Sequence, residues 1–414
     1  MTTTTQKTGE SGRTGEHELP EAARTGIGWL DEARETAWRL HRSLPLPDRA
    51  THLWRYTDPA RFALPDGMVP RSGGDPVEII VDDEARRAGV TAGPLLEAAR
   101  TDDDGIRARL GALVPAEFGF PESLNAALWS SGSYVRIPKG VALDQPIRIR
   151  TTGPGEGTLQ AMRTLVVVEE GASATVVEEA RGGAERGDAR LNEVTEVLVG
   201  PNASVRLVPV QHLERGVISH RTLRARLDRD ARAQLVVASF GAGIYKADLG
   251  AVLSGDGSRS EIAGFSFTDR RQQVDHHTVQ DHSGHHSTSD INFRVVLGGR
   301  ARSAYTGLIR IAKDAPHCEA FQENRNLLLS DRAKAESIPE LEILTDEVRC
   351  THGATAGPID PEQLFYLASR GMAPEEATRM IVSGFLEETL QAIPDEIAEP
   401  IRVEMHERMK GVAR

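Results

Sequence analysis

Cysteine is scarce in this chain: of 414 residues, only Cys318 and Cys350 carry a thiol. Two cysteines cannot build the disulfide framework of a small secreted domain, so free thiols in a reducing compartment are expected. The first residues, Met1-Thr2-Thr3-Thr4-Thr5-Gln6-Lys7-Thr8, lack the apolar stretch of a signal peptide, and a cytoplasmic location is the expectation. Aromatic residues make up only 5% of the chain, which leaves small and β-branched side chains to fill the core. There is no run of roughly 18 apolar residues, so no membrane span is expected. Basic charge is also short: 49 Lys and Arg face 61 Asp and Glu, a formal net charge of −12. Coating a nucleic acid needs a surplus of clustered Lys and Arg, so nucleic acid is not an expected partner.

Several active-site signatures are missing as well. Gly153-Pro154-Gly155-Glu156-Gly157 has no lysine to reach a phosphate, and Gly241-Ala242-Gly243 has no third glycine at the needed position. There is no Gly-x-Ser-x-Gly elbow and no Cys-x-x-Cys. Nothing in the chain encodes a complete active site, and a non-enzymatic role is expected.

What is present is glycine, 39 residues of it, and a recurring pattern. Residues 1–22 are polar and Thr-rich and read as a disordered tail. Residues 23–123 read as a helical region, with Trp29, Leu30, Ala33, Ala37 and Leu40 on one helix face. Trp29, Trp38 and Trp54 there read as core or docking residues. Residues 124–357 carry short β-rich runs, including Thr164–Val168, Leu235–Val237 and Ile291–Leu297. Between them lie similar small-residue corners beginning at Gly171, Asn202, Asp230, Gly257 and Arg300, and later at Asp314, Asp331 and Asp346. The late corners are 17 and 15 residues apart, and the early ones 31, 28 and 27, near twice that. A unit of one length, made of strands and small corners without intervening helices, marks a β-solenoid. A β-sandwich is the alternative, although its strands need not recur at a fixed period. Residues 358–414 return to helix: Pro361 and Pro374 each open one, and Gly371 ends the first. Ala377, Met380, Ile381, Gly384 and Phe385 form an apolar stripe at helical spacing, either core or a docking face.

Three constellations could carry chemistry. Asp275 to His286 is rich in imidazole, with His276, His277, His282, His285 and His286, and could hold Zn, Fe or Ni. Alternation along a strand would, however, send His276 and His277 to opposite faces. Cys350 and His352 are two residues apart, which on a strand puts both on one face with Cβ atoms roughly 7 Å apart. A thiolate and an imidazole suit iron, zinc or an iron–sulfur cluster, but two ligands do not close a site. Gln322, Asn324 and Asn326 read as a structural ladder of amides stacked between coils. Cys318 has no motif partner and reads as a small buried residue.

Four segments in order then carry a resemblance. They are Phe321-Gln322-Glu323-Asn324-Arg325-Asn326-Leu327-Leu328-Leu329-Ser330, Pro339-Glu340-Leu341-Glu342-Ile343, Cys350-Thr351-His352-Gly353-Ala354-Thr355 and Leu364-Phe365-Tyr366-Leu367-Ala368-Ser369-Arg370-Gly371. Together they resemble the SufB/SufD family of iron–sulfur cluster assembly proteins. Leu53-Trp54-Arg55-Tyr56-Thr57 extends the resemblance toward the N-terminus. Within the family the chain is more similar to the SufD branch. The SufB branch has Gln-x-Asn-Cys-Asp where this chain has Gln322-Glu323-Asn324-Arg325-Asn326, so Arg325 stands at the place of a sulfur-receiving cysteine.

The resemblance implies a right-handed parallel β-helix between helical N- and C-terminal regions. It implies pairing with a SufB-like paralogue and docking of a SufC-like ABC ATPase on the C-terminal helices. There, Phe365, Tyr366, Arg370, Gly371, Ala377, Met380, Ile381 and Phe385 are the candidate contacts. It further implies that iron or an iron–sulfur cluster is held transiently at the shared interface, with His352 and Cys350 as ligands from this side. A homodimer of the isolated chain is compatible with the same surface. Two alternatives stay open: a free-standing cytoplasmic metalloprotein using His276 to His286, and a β-helical carbohydrate-active enzyme, which would need a catalytic cleft.

Overall fold

A computed structural model describes residues 18–65, 68–71, 75–101 and 105–409. Its body is a stack of about eight β-coils, each contributing one strand to each of two sheets. One sheet runs from Ser133–Ile137 through every second strand to Lys334–Ile343, and the other from Ile147–Thr152 to Val348–Pro358. All pairings between coils are parallel: Ser173, Ser204, Arg232, Arg259 and Thr288 follow one another in register, as do Ile218, Ile244, Gln273, Arg302 and Lys334. The predicted period of about 15 residues is therefore half a coil, one strand plus one corner. The longer step from Gly257 to Arg300 crosses between the two corner series.

The corners explain the small residues. Gly171, Asn202, Asp230, Gly257, His286 and His317 form one column, and all have positive φ, between 54° and 68°. Glycine, asparagine and aspartate tolerate that left-handed conformation best. Each amide donates to a carbonyl of the next coil, from Gly171 N–H to Pro201 O through to His317 N–H to Glu347 O. The residue after each one, Ala172, Ala203, Ala231, Ser258, Ser287 or Cys318, is buried in the turn, where a large side chain would not fit. Cys318 is thus one member of a small-residue column, its Sγ 3.2 Å from Ser287 Oγ.

The interior is mainly Val, Leu, Ile and Ala, with Phe293, Tyr245 and Tyr305 as its large members. Gly264 leaves the space for the Phe293 ring, whose atoms come within 2.1 Å of where a Cβ would stand. A buried ion cluster also crosses the interior: Arg221 reaches Glu178 at 2.6 Å on one sheet and Glu193 at 2.7 Å on the other.

The two ends of the stack differ. At the N-terminal end, strands Val77–Ile80 and Thr91–Pro94 pair antiparallel with the first strand of each sheet. The helices Gly28–Ser43 and Phe120–Leu128 pack beside them through Leu30, Ala37, Trp38, Leu124 and Leu128. The helical face differs from the predicted one, because Ala33 is exposed and Arg34 is buried. Arg34 lies 4.6 Å over the Trp129 ring and donates to the carbonyls of Ala23 and Trp129, a polar satisfaction that an apolar pattern does not reveal. The stack begins at Ser133, so the predicted boundary at residue 124 falls inside the Phe120–Leu128 helix. Of the predicted tail, residues 1–17 lie outside the described residues, and Glu21–Ala23 forms a short 3-10 helix.

The segment from Leu53 to Thr57 is tied to the outer face of the first sheet. Lys246 Nζ donates to Leu53 O at 2.7 Å, Gln273 Nε2 donates to Tyr56 O at 2.9 Å, and Thr57 Oγ1 donates to Asp275. Trp54 stacks on His220 with centroids 6.2 Å apart. At the other end, three helices, Pro361–Ser369, Pro374–Leu390 and Asp395–Met409, follow the last strand. The second and third lie on the outer face of the other sheet, where Val382, Leu386, Leu390, Ile397 and Met405 pack on Phe240, Phe265 and Phe267. Among the described residues, no helix is long and apolar enough to cross a membrane.

Candidate functional site at the open end of the solenoid

Among the described residues, nothing caps the C-terminal end of the stack. Strands Lys334–Ile343 and Val348–Pro358 are the edge strands of their sheets, and most of their side chains are partly or fully exposed. An unpaired parallel edge presents a row of free backbone donors and acceptors to a partner.

Cys350 and His352 lie on that last strand. Cys350 is opposite Ala320 and His352 opposite Gln322, both of which are buried interior positions. Both side chains therefore belong to the inward-facing row, as their spacing predicts, and are uncovered only because no further coil lies over them. Cys350 is half-buried against the interior cluster, and burial pushes its thiol above the usual cysteine value, with Cys318 adding to the effect. His352 is exposed.

The floor of this mouth is polar. Gln322, Asn324 and Asn326 point inward and are buried, while Glu323 and Arg325 point outward and pair at 2.6 Å. The amide ladder differs from the predicted one: the amide-to-amide bond, from Asn326 Nδ2 to Asn324 Oδ1 at 2.7 Å, lies within one strand, and the bonds between coils go to the backbone, from Asn326 Nδ2 to Thr355 O and from Asn324 Nδ2 to Phe293 O. Gln322 Nε2 donates to Gly307 O, and a Cβ on Gly307 would stand 2.4 Å from Tyr305 Oη and 2.5 Å from that nitrogen. Among the described residues, Gln322 Oε1, Asn326 Oδ1 and Ser337 Oγ have no partner, as is also true of Gln280 and Ser266 deeper in the stack. Ser337 carried no sequence signal; it is found only because strand pairing sets it beside Tyr305.

The histidine-rich stretch does not converge. His276 lies inside, 5.0 Å from the Phe293 ring, and His277 lies outside with Nδ1 2.7 Å from Asp248. His282 turns inward between Ser287 and Ser289, and His286 stacks on His317 at the corner. Burial lowers His276 and His282 to about 4, so both are neutral at pH 7. Among the described residues, no three His, Cys, Asp or Glu side chains are grouped to hold a metal. At the mouth, a thiol and an imidazole share one inward-facing row, side-chain types that suit iron, zinc or an iron–sulfur cluster.

The C-terminal candidate contacts are divided by the structure. Phe365 is 75% exposed, Tyr366 57% and Met380 52%, and Arg370 and Gly371 are exposed beside them. Ile381 is partly buried. Ala377 is fully buried, and Phe385 faces the solenoid with Arg294 5.4 Å from its ring centroid, so neither is available to a partner. The predicted stripe is therefore split: Ala377 and Phe385 fall on the core side with Val382, Leu386 and Leu390, and Met380 falls on the exposed side, because the helix is apolar on two faces.

The fold is a two-sheet parallel β-solenoid with helical flanks and an exposed C-terminal edge. Residues 149–385, more than half the chain, match the family described as "SUF system FeS cluster assembly, SufBD core domain", and the chain belongs to that family. An iron-sulfur cluster assembly SufBD family protein of Staphylococcus epidermidis is 28% identical over 330 residues, covering 80% of this chain and 70% of that protein. Relatives of the same description from Staphylococcus haemolyticus, at 28%, and Staphylococcus aureus, at 27%, have the same coverage.

Proposed function

We propose that this chain is the SufD-like scaffold subunit of a SUF assembly complex, with no catalysis of its own, working in the cytoplasm. The observation that carries the reading is the uncapped end of the solenoid, with Cys350 and His352 in its inward row. A SufB-like paralogue continues the two sheets across that end and supplies the remaining ligands. Iron or a nascent iron–sulfur cluster is the cargo, held briefly by the His352 imidazole and the Cys350 thiolate. Because the thiol is raised, its proton leaves as iron binds, so capture strengthens as pH rises. Arg325 at the SufB cysteine position argues against sulfur acceptance there and favours the SufD side. A SufC-like ATPase docks on the exposed group of Phe365, Tyr366, Arg370, Gly371 and Met380, with Ile381 at its margin. Its closure moves the C-terminal helices against the last coil, which opens and closes the shared site. In the absence of the paralogue, a second copy can cover the same edge.

The test is co-expression with a SufB-like and a SufC-like protein. His352→Ala should co-purify normally yet fail to support cluster formation in cells. Normal cluster supply by that variant overturns the site assignment, and absence of a paralogue complex overturns the scaffold reading.

A further inference from the structure

The deficit of positive charge is not uniform. At the corner that leads into the first sheet, successive coils place Arg271, Arg300 and Arg332 at equivalent positions, two residues before Gln273, Arg302 and Lys334, which are themselves in register. Arg270 precedes the first of them, and Arg300 N–H donates to Arg270 O. All six cationic side chains are exposed. Arg270, Arg271, Arg300 and Arg332 line a shallow concavity of about 700 Å³ together with Gly299, Ser330 and Asp331.

These charges are also uncompensated. Among the described residues, Arg271, Arg300, Arg302, Arg332 and Lys334 make no ion pair, and Arg270 approaches only Asp269, at 4.0 Å. That carboxylate is already held by Arg215 at 2.8 Å. Elsewhere on the coils Arg259, Arg310 and Arg325 pair with Glu261, Glu342 and Glu323, while Arg186 and Arg232, which stand singly, find no such partner among the described residues; what marks this corner is the stacking of unpaired cations coil on coil. Coils lie about 4.8 Å apart, so like charges at this corner are stacked at a distance where they repel. Asp331 is the one carboxylate in the wall.

We propose that this corner is a docking surface for an acidic segment of a partner protein, whose carboxylates pair with Arg271, Arg300 and Arg332. The open shape decides against a single small anion, because one exposed ion pair is screened by salt and worth little. Several carboxylates on one chain add their contacts, and the guanidinium forks suit them. The length decides against nucleic acid. Three coils span about 10 Å, room for two or three phosphates, where stable non-specific binding uses six or more. The surrounding chain, at net charge −12, would repel the rest of a longer polyanion.

The experiment uses the full chain and a fluorescein-labelled octa-glutamate peptide, followed by anisotropy at about 20 mM and about 300 mM salt. Saturable binding at low salt that weakens steeply at high salt is expected. Arg271→Glu, Arg300→Glu and Arg332→Glu combined should weaken it at least about tenfold. A charge-matched control with Arg86→Glu, Arg87→Glu and Arg100→Glu on the N-terminal helices should bind as the parent does. Thermal melting of both triple variants checks folding, and the corresponding Gln triple, which adds no repulsion, should fall between parent and Glu triple. No binding at low salt, equal loss in the control, or tighter binding of a single-stranded oligonucleotide of equal charge overturns the proposal.

Discussion

Replacing Arg221 by Met tests the buried ion cluster that crosses the solenoid. The guanidinium is held between Glu178 at 2.6 Å and Glu193 at 2.7 Å, and all three groups are buried. The two carboxylates raise the guanidinium further above its ordinary value, and burial already raises Glu193. Methionine fills a similar volume but leaves two carboxylates facing each other without a counter-charge. Breaking a buried pair in this way costs about 3–5 kcal/mol. Total stability for a folded domain is about 5–15 kcal/mol, so the loss is a large share of it. With an unfolding entropy of about 2.1 cal/mol/K per residue, a cooperative chain of this length loses roughly 5 °C in Tm. The pH dependence has a definite sign. In the variant Glu193, already raised by burial, loses the counter-charge that opposes the rise, so its folded value stands above the unfolded one, about 4.3. Its neutral form is accepted fully below that value, and the stability it allows is lost as pH rises through the raised one. The gap to the parent should therefore narrow toward pH 5 and widen at pH 8. Urea titrations followed by circular dichroism at both pH values measure it. A variant within about 1 kcal/mol of the parent at pH 8 refutes the argument that the cluster is desolvated.

Two further outcomes follow from burial. Iodoacetamide should modify Cys350 slowly near pH 7 and faster as pH rises past the ordinary thiol range, while Cys318 stays protected until the chain unfolds, as peptide mass spectrometry can read. Equal labelling of both thiols in the folded chain would contradict the small-residue column. Phe385→Ala should loosen the Pro374–Leu390 helix and quicken limited proteolysis after Pro358, at a cost of about 2–4 kcal/mol reduced by its partial exposure. Phe365→Ala should leave the melting curve unchanged within about 0.5 kcal/mol, since its ring packs on little of this chain.

The repeat was legible because its constraint is local: a left-handed turn needs Gly, Asn or Asp, and the residue after it must be small. Asn202-Ala203 and Asp230-Ala231 state both conditions in two letters. Cys350 and His352 were legible for a related reason, since a spacing of two fixes a shared face on any strand. What escaped depends on what lies opposite. Arg34 is buried because two carbonyls from distant segments meet it, and no periodicity of apolar residues encodes that. The helix from Pro374 has apolar residues enough for two faces, and only the position of Phe265 and Phe267 decides which is covered. Ser337 entered the site through register alone. The openness of the last coil was also hidden, because no residue of Val348–Pro358 states whether a further coil lies over it.

The antiparallel strands Val77–Ile80 and Thr91–Pro94 give the stack a defined beginning, and nothing comparable among the described residues gives it an end. Each coil offers the next a template, so the fold carries no ruler for its own length. A stack built this way is finished at one end and still receptive at the other. Under the proposed function its termination falls to a partner surface, and in a crowded cell the choice of that surface becomes a matter of relative concentration as much as of affinity.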